Sequence, residues 1–146
     1  MEGDWPDVAE LLPHTGIARL LTKILRWDEF SIEVTALIPV RHPFVTGNTA
    51  PSFLAIELGA QAAACMEALG RRKSGARYGN AMNGSLVRVR EATVYQDTLP
   101  TDKPILVRAK LEATAHPLAI YRVAAVIGEV VFCEAIISTR LGSVGD

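Results

Sequence analysis

The chain has 146 residues, 49% of them hydrophobic, and a formal net charge of −1 at pH 7. This length predicts one domain with a substantial core, residues 1–146. The near-neutral charge, with scattered Lys and Arg, argues against a nucleic-acid partner or binding to a membrane surface. The most apolar segment, residues 50–70, carries two glutamates, which argues against a membrane span.

The chemistry of the N-terminus and the cysteines indicates a cytoplasmic protein. The opening M-E-G-D-W-P-D lacks the basic and apolar regions of a signal peptide. Cys65 and Cys133 are too few for a disulfide framework. Three dispersed histidines and two dispersed cysteines make no metal site, and no phosphate-binding glycine loop is present. We therefore predict no metal and no cofactor.

The first elements are a short helix and two strands. Asp7 can cap a helix that reaches Leu12, before Pro13. Residues 20–27 predict a strand, and Asp28-Glu29 a turn. From residue 30 onwards apolar and polar residues alternate, which predicts a second strand that Pro39 ends.

Residues 50–70 predict one long, buried helix around which the chain is organised. Pro51 suits its first position and Gly70 its end. Only Glu57, Gln61 and Glu67 are strongly polar between them. A buried carboxylate is costly unless it is paired, hydrogen-bonded or protonated, so Glu57 has either a function or a structural partner. Gln61, one turn further on, lies on the same face and can orient it.

Four strands are predicted after the helix, at residues 85–90, 104–114, 118–127 and 130–139. Gly128-Glu129 joins the last two as a tight hairpin. The basic stretch 71–77 is either a solvated loop or a contact for an anionic partner. This order of elements predicts an α+β protein in which one antiparallel sheet covers one helix.

Four motifs, in the same order, resemble the 3-hydroxyacyl-[acyl-carrier-protein] dehydratases, which have the hotdog fold. They are L-L-P-H at 11–14, E-x-x-A-Q from Glu57 to Gln61, L-P-T-D-K-P-I-L-V at 99–107 and V-V-F-C-E-A at 130–135. The resemblance covers about residues 10–140. The shortened entry to the helix is similar to a divergent branch associated with aryl-polyene pathways.

The resemblance implies a curved antiparallel sheet wrapped around the central helix and a site at a subunit interface. It implies a thioester substrate on an acyl-carrier protein or CoA, and a homodimer, a higher oligomer or a hetero-oligomer with another hotdog protein. A histidine would be the base and Glu57 the acid, with burial favouring its protonated form. The N–H groups of Ser52 and Phe53, at the helix start, would bind the thioester oxygen.

The loop before the helix offers two candidates for the histidine. Residues 41–48 read R-H-P-F-V-T-G-N. In one alignment His42 takes the position of the family's histidine; in the other, which matches more letters, Asn48 does. His42 is then an idle loop residue. We expect His14 to be structural or to line an entrance, and His116 to lie on the surface.

Three functions stay open at this point. The first is dehydration of a 3-hydroxyacyl thioester by Glu57 and His42, with Ser52, Phe53, Gln61 and Asn48 binding substrate. The second, which the altered histidine motif favours, is a non-catalytic subunit that partners an active dehydratase. The third is an acyl thioesterase, in which an acidic residue of the central helix activates water.

Overall fold

The computed structural model describes residues 4–75 and 85–140. The elements are α1 (Val8–Leu11), a 3₁₀ turn (Gly16–Ala18), β1 (Leu21–Trp27), β2 (Ser31–Ala36), β3 (Thr49–Pro51), α2 (Leu54–Lys73), β4 (Ser85–Val94), β5 (Thr98–Pro100), β6 (Ile105–Ala115), β7 (Leu118–Ile127) and β8 (Val130–Arg140). No helix in the described ranges is long and apolar enough to cross a membrane.

Six strands form one antiparallel sheet in the order β1-β2-β6-β7-β8-β4, and β3 pairs with β5 separately. The alternation predicted for the second strand is present, since Ile32, Val34 and Ala36 are buried. Helix α2 packs against β1, β2, β6, β7 and β8. The predicted arrangement of one antiparallel sheet over one helix is confirmed.

Helix α2 lies unusually close to the sheet at Gly59. A Cβ atom added to Gly59 would stand 2.5 Å from Cβ of Val123 in β7. Real side chains do not approach so closely, so only glycine permits this separation of helix and sheet. Gly59 and Val123 therefore fix the depth at which α2 sits.

The predicted bounds of the central helix, 50–70, are wrong at both ends. Pro51 belongs to β3, and the helix begins at Leu54. Ser52 delays the start, because its N–H donates to the Asp97 carbonyl at 3.0 Å and its hydroxyl donates to the Gln96 carbonyl. Both acceptors lie in another part of the chain, so the local sequence does not show this restraint.

At its other end α2 continues through Gly70 to Lys73. The last turn carries Arg71, Arg72 and Lys73, whose positive charges favour a helix C-terminus. Gly75, with φ of 74°, provides the left-handed conformation expected of Gly70, and its N–H donates to the Arg72 carbonyl. The predicted basic loop 71–77 thus begins as helix, and residues 76–77 lie outside the described part.

Strand β4 is an edge strand that pairs with β8. Its apolar side chains Leu86, Val89 and Val94 are exposed. A bulge interrupts its register between Arg90 and Thr93. An exposed apolar edge strand of this kind can pair with a further strand or with another chain.

Candidate active site

A pocket of about 430 Å³ opens beside the first turn of α2. Its polar lining groups are His14, His42 and Glu57. The rest of its wall is apolar and comprises Ala18, Leu20, Phe44, Phe53, Leu54, Ile56 and Leu86. A few polar groups in a mostly apolar concave surface are typical of a site for a small organic ligand.

A larger groove of about 780 Å³ lies between residues 4–8 and β1. Its charged residues are Asp4, Asp7 and Lys23, and no histidine is among its described lining residues. We place the candidate site in the smaller pocket, because three groups able to transfer or donate protons meet there.

Gln61 is the structural support of this site. It is fully buried. Its side-chain carbonyl accepts the Leu20 backbone N–H at 3.1 Å, and its side-chain NH₂ group donates to the Ala18 backbone carbonyl at 2.8 Å. The same NH₂ group donates to Oε1 of Glu57 at 3.1 Å. The predicted contact between Gln61 and Glu57 is therefore present. It also ties the segment before β1 to α2.

Glu57 is less buried than the sequence indicates. Its side chain is 44% exposed and faces the pocket. Burial, on which a protonated Glu57 was expected, is thus incomplete within this single chain.

His14 lies beside Glu57, where the sequence did not place it. Its Nε2 is 3.4 Å from Oε1 of Glu57. Its Nδ1 is buried without a hydrogen-bond partner in the part of the chain that the structure describes. His14 lines the pocket wall, as expected for an entrance residue. No local pattern in L-L-P-H predicts the contact, because it joins positions 14 and 57.

His42 also lines the pocket, held by the turn that contains it. Its Nδ1 accepts the N–H of Phe44 at 3.1 Å, and its ring lies 5.5 Å from the Phe44 ring, centroid to centroid. Because a backbone N–H is always a donor, Nδ1 must be the unprotonated nitrogen of the neutral ring. The proton is then on Nε2, so neutral His42 offers a donor rather than a base.

The start of α2 supplies donors, but one residue later than expected. The expectation that Ser52 has a free N–H is wrong, because that group donates to the Asp97 carbonyl. The N–H groups of Phe53 and Leu54 have no acceptor within the described residues. The Phe53 side chain is 54% exposed and lies 5.9 Å from the Phe44 ring, centroid to centroid.

Asn48, the other candidate for the family's histidine position, is exposed and is not among the residues that line the pocket. Its backbone carbonyl accepts two hydrogen bonds from Thr101, one from the backbone N–H at 3.1 Å and one from the side-chain hydroxyl at 3.0 Å. Asn48 thus joins the loop to the turn between β5 and β6. Of the two candidates, the structure brings His42 to the pocket.

A second carboxylate, Glu67, lies further along α2. It accepts hydrogen bonds from the Thr139 hydroxyl at 2.8 Å and from the Tyr121 hydroxyl at 3.0 Å. Burial raises the pKa of Glu67, against the opposing effect of these two hydrogen bonds and of Arg71. This group fits a structural role, because its Oε1 accepts both hydrogen bonds from hydroxyl groups of the sheet.

The cysteines show no sign of reactivity. Burial raises the pKa of the Cys65 thiol to about 12, so the thiolate is scarce at neutral pH. Cys65 and Cys133 are both free and buried. Among residues 4–75 and 85–140, no group of three or more His, Cys, Asp or Glu side chains could hold a metal ion.

Solved structures with a similar backbone are hotdog proteins. A chain of the dehydratase heterocomplex ApeI:P from Xenorhabdus doucetiae is 16% identical, with a TM-score of 0.85 over 97% of this chain and 94% of that one. Zebrafish thioesterase superfamily member 2 is 13% identical, with a TM-score of 0.66 over 92% and 93%. A Streptococcus mutans protein bound to acetyl CoA is 8% identical, with a TM-score of 0.65 over 90% and 96%. At these identities the likeness establishes the fold, and the predicted hotdog fold is confirmed.

No curated protein matches the sequence. A family model does match, over residues 6–141, and its description is ApeP-like, ApeP dehydratase. The match spans the L-L-P-H segment, all of α2 and the sheet to the end of β8. The resemblance to dehydratases, and to their aryl-polyene branch, is thereby confirmed, and the chain belongs to the ApeP-like dehydratase family.

Proposed function

We propose that this protein dehydrates a 3-hydroxyacyl thioester in the pocket beside Glu57. The observation that carries the proposal is a carboxylate, oriented by Gln61, at an apolar pocket next to the start of a helix. Family membership supports the same reaction class. The acyl group would be carried by an acyl-carrier protein or by CoA.

The reaction needs a base at C2 and an acid for the departing hydroxyl. Glu57 takes the C2 proton, and the electron pair of the C2–H bond moves into the enolate of the thioester. The enolate then reforms the carbonyl and the C2=C3 double bond while the C3–O bond breaks. Protonated Glu57 returns its proton to the hydroxyl, which leaves as water. One carboxyl group therefore completes both transfers.

The enolate oxygen needs hydrogen-bond donors where its charge develops. The N–H groups of Phe53 and Leu54 face no protein acceptor among the described residues, and the positive end of the α2 dipole adds to their effect. His42, with its proton on Nε2, would supply a third donor in the same pocket. This division of roles differs from the expected histidine base.

The test is turnover of a 3-hydroxyacyl thioester by purified protein, followed by formation of the enoyl product. We expect Glu57→Gln to reduce kcat at least about 100-fold, because an amide can neither take nor return the proton. Glu129→Gln is the matched control, since Glu129 is exposed in the β7–β8 turn. Equal activity of both variants would contradict the proposal.

We also propose that the working unit contains a second hotdog chain, as a homodimer or as a hetero-oligomer. Phe44, Phe53 and Leu86 are exposed at the pocket in the single chain, and β4 leaves an apolar edge. The similar ApeI:P structure is a dehydratase heterocomplex. Light scattering of this protein alone and after co-expression with an ApeI-type partner separates the two assemblies.

The same assay distinguishes the other functions. Release of free thiol without an enoyl product would identify a thioesterase, a function found among the structural neighbours. Turnover that appears only with a partner, and that survives Glu57→Gln in this chain, would identify a non-catalytic subunit. Turnover that is lost with Glu57→Gln in either assembly supports the dehydratase.

We propose a cytoplasmic location for this activity. The two cysteines are free thiols within one fold, which fits a reducing compartment. Cell fractionation with an antibody against the native protein tests this, and recovery in an extracellular or periplasmic fraction would contradict it.

A further inference from the structure

We propose that His14 is a positioning residue for Glu57: with Gln61 it holds Oε1, so that Oε2 is the atom that exchanges the proton with substrate. The inference rests on the proposed function and assigns a role within that site. It concerns a histidine from the segment before β1, which the sequence indicated as a structural or entrance residue.

The first step of the argument is the geometry at Oε1. Gln61 Nε2 donates to this oxygen at 3.1 Å, and His14 Nε2 approaches the same oxygen at 3.4 Å. No described residue donates to Oε2. An oxygen that already accepts one hydrogen bond and lies against a second nitrogen is a poor place for a further proton. Proton transfer by Glu57 is therefore directed to Oε2.

The second step is the direction of the His14 ring. A proton on its Nδ1 would be a buried donor without an acceptor among the described residues, which is unfavourable. The neutral ring is therefore favoured with its proton on Nε2, the nitrogen that lies 3.4 Å from Oε1 of Glu57. Ring packing in the pocket wall thus selects the tautomer that supports the carboxylate.

The third step is how His14 is held. Ala18 and Leu20 follow it closely in the chain, and both form backbone hydrogen bonds with Gln61, at 2.8 Å and 3.1 Å. The segment that carries His14 is therefore fastened to the same side chain that orients Glu57. The carboxylate and its two supports form one unit, which limits rotation of the Glu57 side chain before substrate arrives.

Three variants of His14 separate positioning from simple wall packing. Gln places an N–H donor near the position of His Nε2, Asn reaches only as far as Nδ1, and Leu fills space without a donor. We expect His14→Leu and His14→Asn to lower kcat about 30- to 100-fold while KM changes less than about threefold. We expect His14→Gln to retain kcat within about fivefold.

The matched control is His116→Gln, an exposed histidine in the β6–β7 turn, for which no change in kcat is expected. Thermal unfolding of each variant shows whether it has folded. Equal losses in all three His14 variants, or a change confined to KM, would overturn the positioning role.

A second measurement does not depend on turnover. The ¹³C signal of the Glu57 carboxyl carbon, assigned by its absence in Glu57→Gln, reports the groups around Oε1. We expect this signal to move in His14→Leu and His14→Asn and to stay near the wild-type position in His14→Gln. If wild-type protein dehydrates nothing, with or without a partner, the proposed function fails while this signal still decides the role of His14. An unmoved signal in His14→Leu would refute the contact.

Discussion

Gln61 Nε2 donates to both the Ala18 carbonyl, at 2.8 Å, and Oε1 of Glu57, at 3.1 Å. One buried amide thus links the segment before β1 to the carboxylate of the site. We expect Gln61→Leu to lower the free energy of unfolding by about 2–4 kcal/mol, because the buried Leu20 N–H and the partly buried Ala18 carbonyl lose their partner. Urea denaturation measures this, with the exposed side chain of Gln96 as control in Gln96→Leu.

A loss in stability similar to that of Gln96→Leu would show that Gln61 is replaceable by any side chain of its size. Activity should fall as well, since Glu57 loses its closest support. The two effects are separable by assaying Gln61→Leu at a temperature well below its unfolding transition.

The tautomer of His42 predicts which substitution preserves its function. Its Nδ1 accepts the Phe44 N–H at 3.1 Å, so Nε2 carries the proton of the neutral ring. Gln offers an N–H group near the Nε2 position. We expect His42→Gln to keep kcat within about tenfold of wild type, and His42→Ala to lower it about 100-fold.

The contrary result for His42 is equally informative. If Gln and Ala reduce kcat alike while both proteins stay folded, His42 acts as a base. If neither has an effect, His42 only lines the pocket. Steady-state kinetics on the 3-hydroxyacyl thioester distinguishes these outcomes.

Two glycines of α2 should respond in opposite ways to a methyl group. At Gly59 a Cβ would lie 2.5 Å from Cβ of Val123, whereas a Cβ at Gly70 would have no described atom within 4 Å beyond its chain neighbours and the helix's own backbone. We expect Gly59→Ala to cost about 1–3 kcal/mol of stability by overpacking. Gly70→Ala should add about 0.5–1 kcal/mol, because alanine favours the helix.

Denaturation midpoints of both glycine variants and of Gly59→Ala with Val123→Ala test this. The double variant should recover part of the loss, since it removes the two methyl groups that the new Cβ approaches. No recovery would show that the Cβ of residue 123, which the double variant keeps 2.5 Å from the new side chain, limits the space.

Glu67 should make stability depend on pH. Burial, the largest effect, raises the pKa of its carboxyl in the folded state above the ordinary value of 4.5. Between those two pKa values the native state binds more protons than the unfolded state, so this contribution to stability falls as pH rises through the window. Glu67→Gln cannot ionise and should lack that fall.

The measurement for Glu67 is the free energy of unfolding of wild type and Glu67→Gln at several pH values from about 4 to about 7. The difference should move in favour of the glutamine variant as pH rises. Parallel curves would show that the hydrogen bonds from Tyr121 and Thr139, at 3.0 Å and 2.8 Å, offset the cost of burial.

Patterns of local residues predicted much of the fold. The alternation of apolar and polar residues predicted the strands around Ile32 and Val107 and the apolar face that these strands share. The predicted β7–β8 turn is also present, with Gly128 at φ of 62°. The short strands β3 and β5 were missed, because three residues carry no period. The start of α2 was misplaced, because the acceptors that hold Ser52 are carbonyls at residues 96 and 97.

Contacts within the site could be predicted only between residues that share one helix. Glu57 and Gln61 are one turn apart, so their contact follows from helical geometry. His14 reaches Glu57 across 43 positions of the chain, and the hydrogen bond that fixes the His42 tautomer depends on the fold of a turn. Neither the His14–Glu57 contact nor the His42–Phe44 hydrogen bond could be predicted from residue spacing in the sequence.

The close approach at Gly59 has a consequence for chemistry as well as packing. Gly59 lies two residues after Glu57 on the same rigid helix, so the height of the carboxylate above the sheet is set where Val123 meets a bare backbone. A chain that acquired a side chain there would keep every reactive group and still present Glu57 at a different level to the thioester. The absence of a Cβ at Gly59 thus sets the position of the Glu57 carboxylate in the pocket.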